Sequence, residues 1–262
     1  MRLLVREGDR VFTTDRAREL APLVGLNDAY VCEALHHLRR NGWIVSLRRG
    51  LYALASTVPG GISVHEFEVA MALTTPAAIS HWSAMHYHGV TEQVPRTVFV
   101  LTTTERSVPR MRAGGMTLRQ GEYLAGDTMY RFVRVKPDRL FGTEYMWAHD
   151  ARVVITDLER TLLDGLSRPR LCGDFAEVLH AFEAAADRVD VKRITEYAIR
   201  LGTSTAKRLG WVLAYCGCTS PEVGLLEELP TQGYRTLDPT GPRAGRCNAR
   251  WMVQENLPGS GG

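Results

Sequence analysis

No run of eighteen or more apolar residues occurs in the chain, so a membrane-crossing helix is not expected. The opening residues, MRLLVREGDR, carry charge throughout and contain no apolar core of the kind that leads secreted proteins, so a secretory signal is not expected either. Cysteine is scarce and irregular: Cys32, Cys172, Cys216, Cys218 and Cys247 are an odd number at uneven spacing. That pattern argues against a disulfide framework and fits thiols in a reducing cytoplasm. Cys216 and Cys218 form C-x-C, but no second pair or histidine follows at zinc-finger spacing. The phosphate-binding and nucleophile motifs are missing too, with no Walker loop, no G-x-G-x-x-G and no G-x-S-x-G.

Lysine is absent from residues 1–60, which hold nine arginines and six acids, and no acid follows Glu33 there. The remaining 202 residues of the 262 balance, with 23 basic and 23 acidic groups. The net charge of +3 is therefore local to the N-terminal stretch. Arg39, Arg40, Arg48 and Arg49 all lie in its acid-free part. A local basic patch of this kind is the footprint of a nucleic-acid surface.

The same stretch has a legible order of elements. Thr14 or Asp15 can cap a helix with apolar positions Ala17, Leu20 and Ala21, and Gly25 is placed to end it. Asn27 or Asp28 can cap a second helix, whose apolar stripe is Val31, Ala34, Leu35 and Leu38. Asn41-Gly42 stops that helix. Two short apolar runs follow, 43–47 and 51–54, interrupted by Arg48-Arg49-Gly50. Helix, turn, helix and hairpin in that order predict a winged helix-turn-helix. The second helix would enter the major groove with Tyr30, Glu33 and His37 outward and Arg40 at its far end. The hairpin would bring Arg48 and Arg49 to phosphates or the minor groove. The candidate DNA contacts are Asn27, Tyr30, His37, Arg39, Arg40, Arg48 and Arg49.

Thr57-Val58-Pro59-Gly60-Gly61 is a run of turn formers and marks a boundary. The expected division is a DNA-binding domain over 1–58 and a larger mixed α/β domain over 62–258. In the second part, helices are expected at 65–73 and 78–89 and strands at 96–103, 128–135 and within 144–157. Five helical segments follow from Leu158, then a tail in which Trp251, Val253 and Leu257 point to a docked strand. The fold class is thus α+β, ending in a helical bundle.

Chemistry-bearing clusters are few. His81, His86 and His88 form H-x4-H-x-H, but only 81 and 88 share a helical face and no acid stands at useful spacing, so packing explains them better than a metal. Asp157, Glu159 and Asp164 gather at a helix start, where capping and the helix dipole account for acids. No catalytic residue, metal or cofactor is expected.

The chain resembles the AbiEi family, antitoxins of bacterial type IV toxin–antitoxin systems. The resemblance rests on NGWIVSLRRGLYAL, AISHWSAMHYHGV with RTVFVLTT, VVITDLERTLLDGLSRPRLCGDF, KRLGWVLAYCG, and the tail LDP…NARWMVQEN, in that order over roughly residues 10 to 256. Cys172-Gly173 stands where the family more often has Gly-Gly. The resemblance implies a non-enzymatic, cytoplasmic protein with two activities. Its winged helix would bind promoter repeats and repress its own operon. Its larger part would neutralise a nucleotidyltransferase-like toxin. Two other readings compete: a ligand-responsive winged-helix repressor with no toxin partner, and a nuclease, which Lys136, Lys192 and Lys207 are poorly placed to serve.

Overall fold

The computed structural model describes residues 2–56, 61–104 and 121–257. The chain begins with α1 (Arg2–Arg6), β1 (Val11–Thr13) and α2 (Thr14–Leu20). Two 3-10 turns, Ala21–Val24 and Asp28–Tyr30, lead into α3 (Val31–Arg40), followed by β2 (Ile44–Arg48) and β3 (Leu51–Leu54). The cap of α2 is Thr13, one residue ahead of the expected Thr14 or Asp15. Thr13 is the last extended residue, and its hydroxyl accepts from the Arg16 amide at 3.1 Å; Thr14 is already helical and cannot serve. Gly25 ends the first 3-10 turn at φ +69°, as its position predicts. Val31 and Leu35 are buried with Leu4, Phe12, Leu20, Ala21, Ile44 and Leu54, so the apolar stripe of α3 faces a small core. The three strands pair antiparallel in the order β1-β3-β2.

Next come α4 (Glu66–Leu73), β4 (Ala77–Ile79), α5 (His81–Tyr87), β5 (Thr97–Thr102), β6 (Glu122–Ala125), β7 (Thr128–Arg134), β8 (Thr143–Ala148) and β9 (Ala151–Thr156). The helix expected at 78–89 is a strand followed by a helix. Ile79 pairs in parallel with Ile155, and Ser80 is fully extended, so helix begins only at His81. That pairing joins residues far apart in sequence and leaves no local signal. These six strands form one sheet in the order β6-β7-β5-β4-β9-β8. The continuous apolar run of β5 is buried along its length beside parallel β7, as a central strand requires.

The chain then turns helical: α6 (Leu158–Ser167), α7 (Phe175–Ala185), α8 (Val191–Leu201), α9 (Thr203–Tyr215) and α10 (Glu222–Glu228). The tail forms a small sheet of β10 (Arg235–Thr236), β11 (Arg246–Asn248) and β12 (Val253–Glu255), ordered β10-β12-β11. Asp157, Asp174 and Asp190 cap α6, α7 and α8 through their side chains. The helical core gathers Leu162, Leu166, Val178, Phe182, Leu209 and Trp251 among others.

The fold is therefore mixed α+β. It divides into two compact units: Met1–Ala78 with Arg96–Val135 and Tyr145–Val154, and Ile79–Pro95 with Lys136–Glu144 and Ile155–Gly262. Residues 1–58 fall within the first unit. The boundary expected at 58–62 lies mostly outside the described residues. Among the described residues no helix is long and apolar enough to cross a membrane.

Candidate nucleic-acid interface

The nine arginines of the N-terminal stretch fall largely into two kinds. Arg6, Arg10, Arg16 and Arg18 are each ion-paired, with Glu7 at 3.5 Å, with Asp150, with Asp9 at 2.9 Å and with Asp15 at 3.1 Å. Arg39, Arg40, Arg48 and Arg49 are exposed, and no acid lies within ion-pairing distance of them among the described residues. Five of the six acids of the stretch are thus engaged by the first group, Glu33 faces His37, and the second group presents uncompensated charge among the described residues.

The second group sits at the end of α3 and at the far end of β2. Arg39 and Arg40 close α3, where they also favour the negative end of the helix dipole. Arg48 is the last residue of β2, and Arg49 with Gly50 makes a two-residue turn to β3. Gly50 takes φ +74°, which a residue with a Cβ adopts only under strain. β2 spans about 16 Å at 3.3 Å per residue and runs from the turn after α3 to the hairpin tip.

The hairpin tip is not a projecting arm. β1 runs along β3 as far as Thr13 opposite Leu51, and the Thr14 amide donates to the Gly50 carbonyl at 3.0 Å. Opposite Tyr52 and Leu51, β2 places Ser46 and Arg48, so Leu47 bulges inward and is fully buried. The tip arginines are therefore held in fixed relation to the start of α2.

The other candidates are placed less uniformly. Asn27 is exposed, but its side-chain oxygen accepts from the Ala29 amide at 3.0 Å. It caps the 3-10 turn that precedes α3, not α3 itself. Tyr30 is 59% exposed, yet it closes that turn ahead of α3 and does not stand on the outward face of the helix. His37 is on that face, 3.7 Å from Glu33 one turn back. The sequence pattern could not show this because the turn and the helix are contiguous.

Elsewhere, the acids read as a helix start belong to a sealed network in the second unit. Asp157 accepts from the Arg160 amide at 2.8 Å and from the Tyr197 hydroxyl at 3.0 Å. Burial raises the Asp157 pKa above the ordinary carboxylate value, and burial, then Asp157, pushes Tyr197 up to about 12. Arg160 is the hub that periodicity did not reveal. It donates to Asp164 at 2.9 Å and to the carbonyls of Arg139 and Phe141 at 2.8 and 3.0 Å. Its one sequence signal is a charge pair at i, i+4, Arg160 and Asp164, within the helix LERTLLDGLS. Arg160 is 1% exposed, so the charge pair it forms with Asp164 is buried. Of the histidines, His81 is buried, His86 is exposed, and His88 bonds the Thr156 carbonyl at 2.8 Å. Among the described residues no group of three or more His, Cys, Asp or Glu could hold a metal.

A cavity of about 240 Å³ opens beside Phe182, Val189, Leu213, Cys216 and Cys218. It is smaller than the sites that hold most small-molecule ligands.

No protein-family model and no curated protein matches the chain. A solved structure, the RV2827C protein from Mycobacterium tuberculosis, is similar at a TM-score of 0.67, covering 95% of this chain and 87% of that one at 16% identity. At that identity the likeness speaks for the fold alone.

Proposed function

We propose that the N-terminal stretch is a winged helix-turn-helix that binds promoter DNA, and that the whole chain is a non-enzymatic, cytoplasmic antitoxin of the AbiEi kind that represses its own operon. One observation carries the DNA reading: four exposed arginines without acidic partners among the described residues, at the end of α3 and the tip of the β2–β3 hairpin, beside four that are internally paired. The element order α1-β1-α2-α3-β2-β3 supports it, because such an order lays α3 across a hairpin. The toxin partner, a nucleotidyltransferase-like protein, rests on the sequence resemblance.

The test uses the full chain and Arg48→Ala with Arg49→Ala. DNA affinity should fall across all sequences alike, since phosphate contacts carry no sequence information. The slope of log affinity against log salt should drop by about 0.9 for each phosphate that the variant no longer neutralises. The same double variant, co-expressed with the product of the neighbouring toxin gene, should still restore growth while failing to repress the operon. Unchanged affinity and salt slope would show that the hairpin does not touch DNA. Failure of the wild-type chain to restore growth would remove the toxin.

A further inference from the structure

β8 is an outer strand of the six-stranded sheet, and its composition is unusual for that position. Outer strands present unpaired backbone groups, and proteins normally blunt them with lysine, proline or a bulge. Thr143–Ala148, TEYMWA, has neither lysine nor proline and holds one charge, Glu144. Its solvent face carries Tyr145 and Trp147, 63% and 69% exposed and two residues apart. From β9, the guanidinium of Arg152 lies 3.7 Å over the Tyr145 ring. Tryptophan, tyrosine and arginine together are the residues on which protein interfaces concentrate their binding energy.

The strand cannot hide these rings by turning over. Met146 and Ala148, on its other face, are buried, and a shift of one residue would expose them. The aromatic pair is thus held outward.

We propose that β8 pairs antiparallel with β8 of a second copy of this chain, joining the two sheets across a two-fold axis. The strand is its own complement when the axis passes Met146. Tyr145 then stands opposite Trp147 of the second copy, and Trp147 opposite its Tyr145, giving two cross-strand aromatic pairs. On the inner face, Met146 meets Met146 and Glu144 meets Ala148. No like charges come together, and both copies use the same patch, as a two-fold interface demands. Single-stranded nucleic acid, which also stacks on exposed rings, needs a cationic track. Here Glu144 precedes the rings in the chain, Asp150 with its partner Arg10 follows them, and among the described residues Arg152 is the one arginine stacked on either ring. The contact is one strand wide, so the dimer dissociates on dilution.

Sedimentation of the full chain over a range of concentrations tests this. The wild type should shift from monomer to dimer, and Trp147→Lys and Tyr145→Lys, both at exposed positions, should weaken the association roughly tenfold or more. Tethering tests the register in a background of Cys32→Ser and Cys247→Ser, which removes the two exposed thiols. Glu144→Cys together with Ala148→Cys, which leaves both rings in place, should give a disulfide-linked dimer on mild oxidation, and neither single variant should. A chain that stays monomeric at every concentration overturns the proposal. So does a dimer that Trp147→Lys leaves intact, cross-linking by either single variant, or a monomer that binds oligothymidylate through Trp147.

Discussion

At the scale of single residues, His81 couples burial to pH. It is 1% exposed, φ is +50°, and its Nδ1 lies 2.8 Å from the Ser80 hydroxyl. Burial lowers its pKa from 6.5 to about 4, against a smaller upward pull from Asp164. The imidazole is therefore neutral in the fold, while the unfolded chain takes up a proton below pH 6.5. Stability from this source is complete above pH 6.5 and is lost as pH falls toward 4. At 1.36 kcal/mol per pH unit the loss reaches about 3 kcal/mol. His81→Asn suits the positive φ and removes the titration. Its urea-unfolding free energy should fall less steeply than that of the wild type between pH 6.5 and 4.5. Parallel curves would show that His81 is not the group responsible.

At the scale of elements, two helical glycines have opposite expectations. Gly210 lies inside α9, and a Cβ there would overlap the ring of buried Trp251. Alanine is the better helix former by about 1 kcal/mol, but overpacking a core typically costs about 1–3 kcal/mol. A buried Trp ring leaves little room to yield, so Gly210→Ala should lower stability by about 1–2 kcal/mol. Gly224, in α10, has nothing within 4 Å of its would-be Cβ. Gly224→Ala should raise stability by about 0.5–1 kcal/mol. Urea denaturation of both variants with the slope unchanged checks the pair. Equal effects would mean that the Trp251 ring does not govern α9.

At the scale of the whole molecule, the N-terminal stretch is part of a larger compact unit. Residues Met1–Ala78 share that unit with Arg96–Val135 and Tyr145–Val154. Within it Arg10 pairs with Asp150, and α4 packs beside β1. The buried face of α4, with Phe67, Val69 and Ala70, would be uncovered in part if residues 1–60 were deleted. A fragment of residues 61–262 should therefore melt at a lower temperature than the full chain in calorimetry and bind a hydrophobic dye. A fragment that melts like the full chain would show that the stretch folds independently. This is why point variants test function better here than truncation.

Much of the molecule was determined locally. The apolar stripe of α3, the glycine ending the turn after α2, the strands at 97–102 and 128–134, and the five C-terminal helices all follow from periodicity and capping within a few residues. Charge counting along the chain also located the unpaired arginines. Tertiary structure decided what depends on distant partners. β4 exists because Ile79 meets Ile155, and β6, four residues long, is defined by its pairing with β7. Asp157, Glu159 and Asp164 read as caps, but only folding brings Arg160 to the carbonyls of Arg139 and Phe141 and makes one of them a buried charge partner. The sequence placed Arg48 and Arg49 at a turn. That the turn is tied to the start of α2 follows from β1 pairing with β3 across some forty residues, a pairing whose free energy is set by the whole core and leaves no periodic trace in either segment.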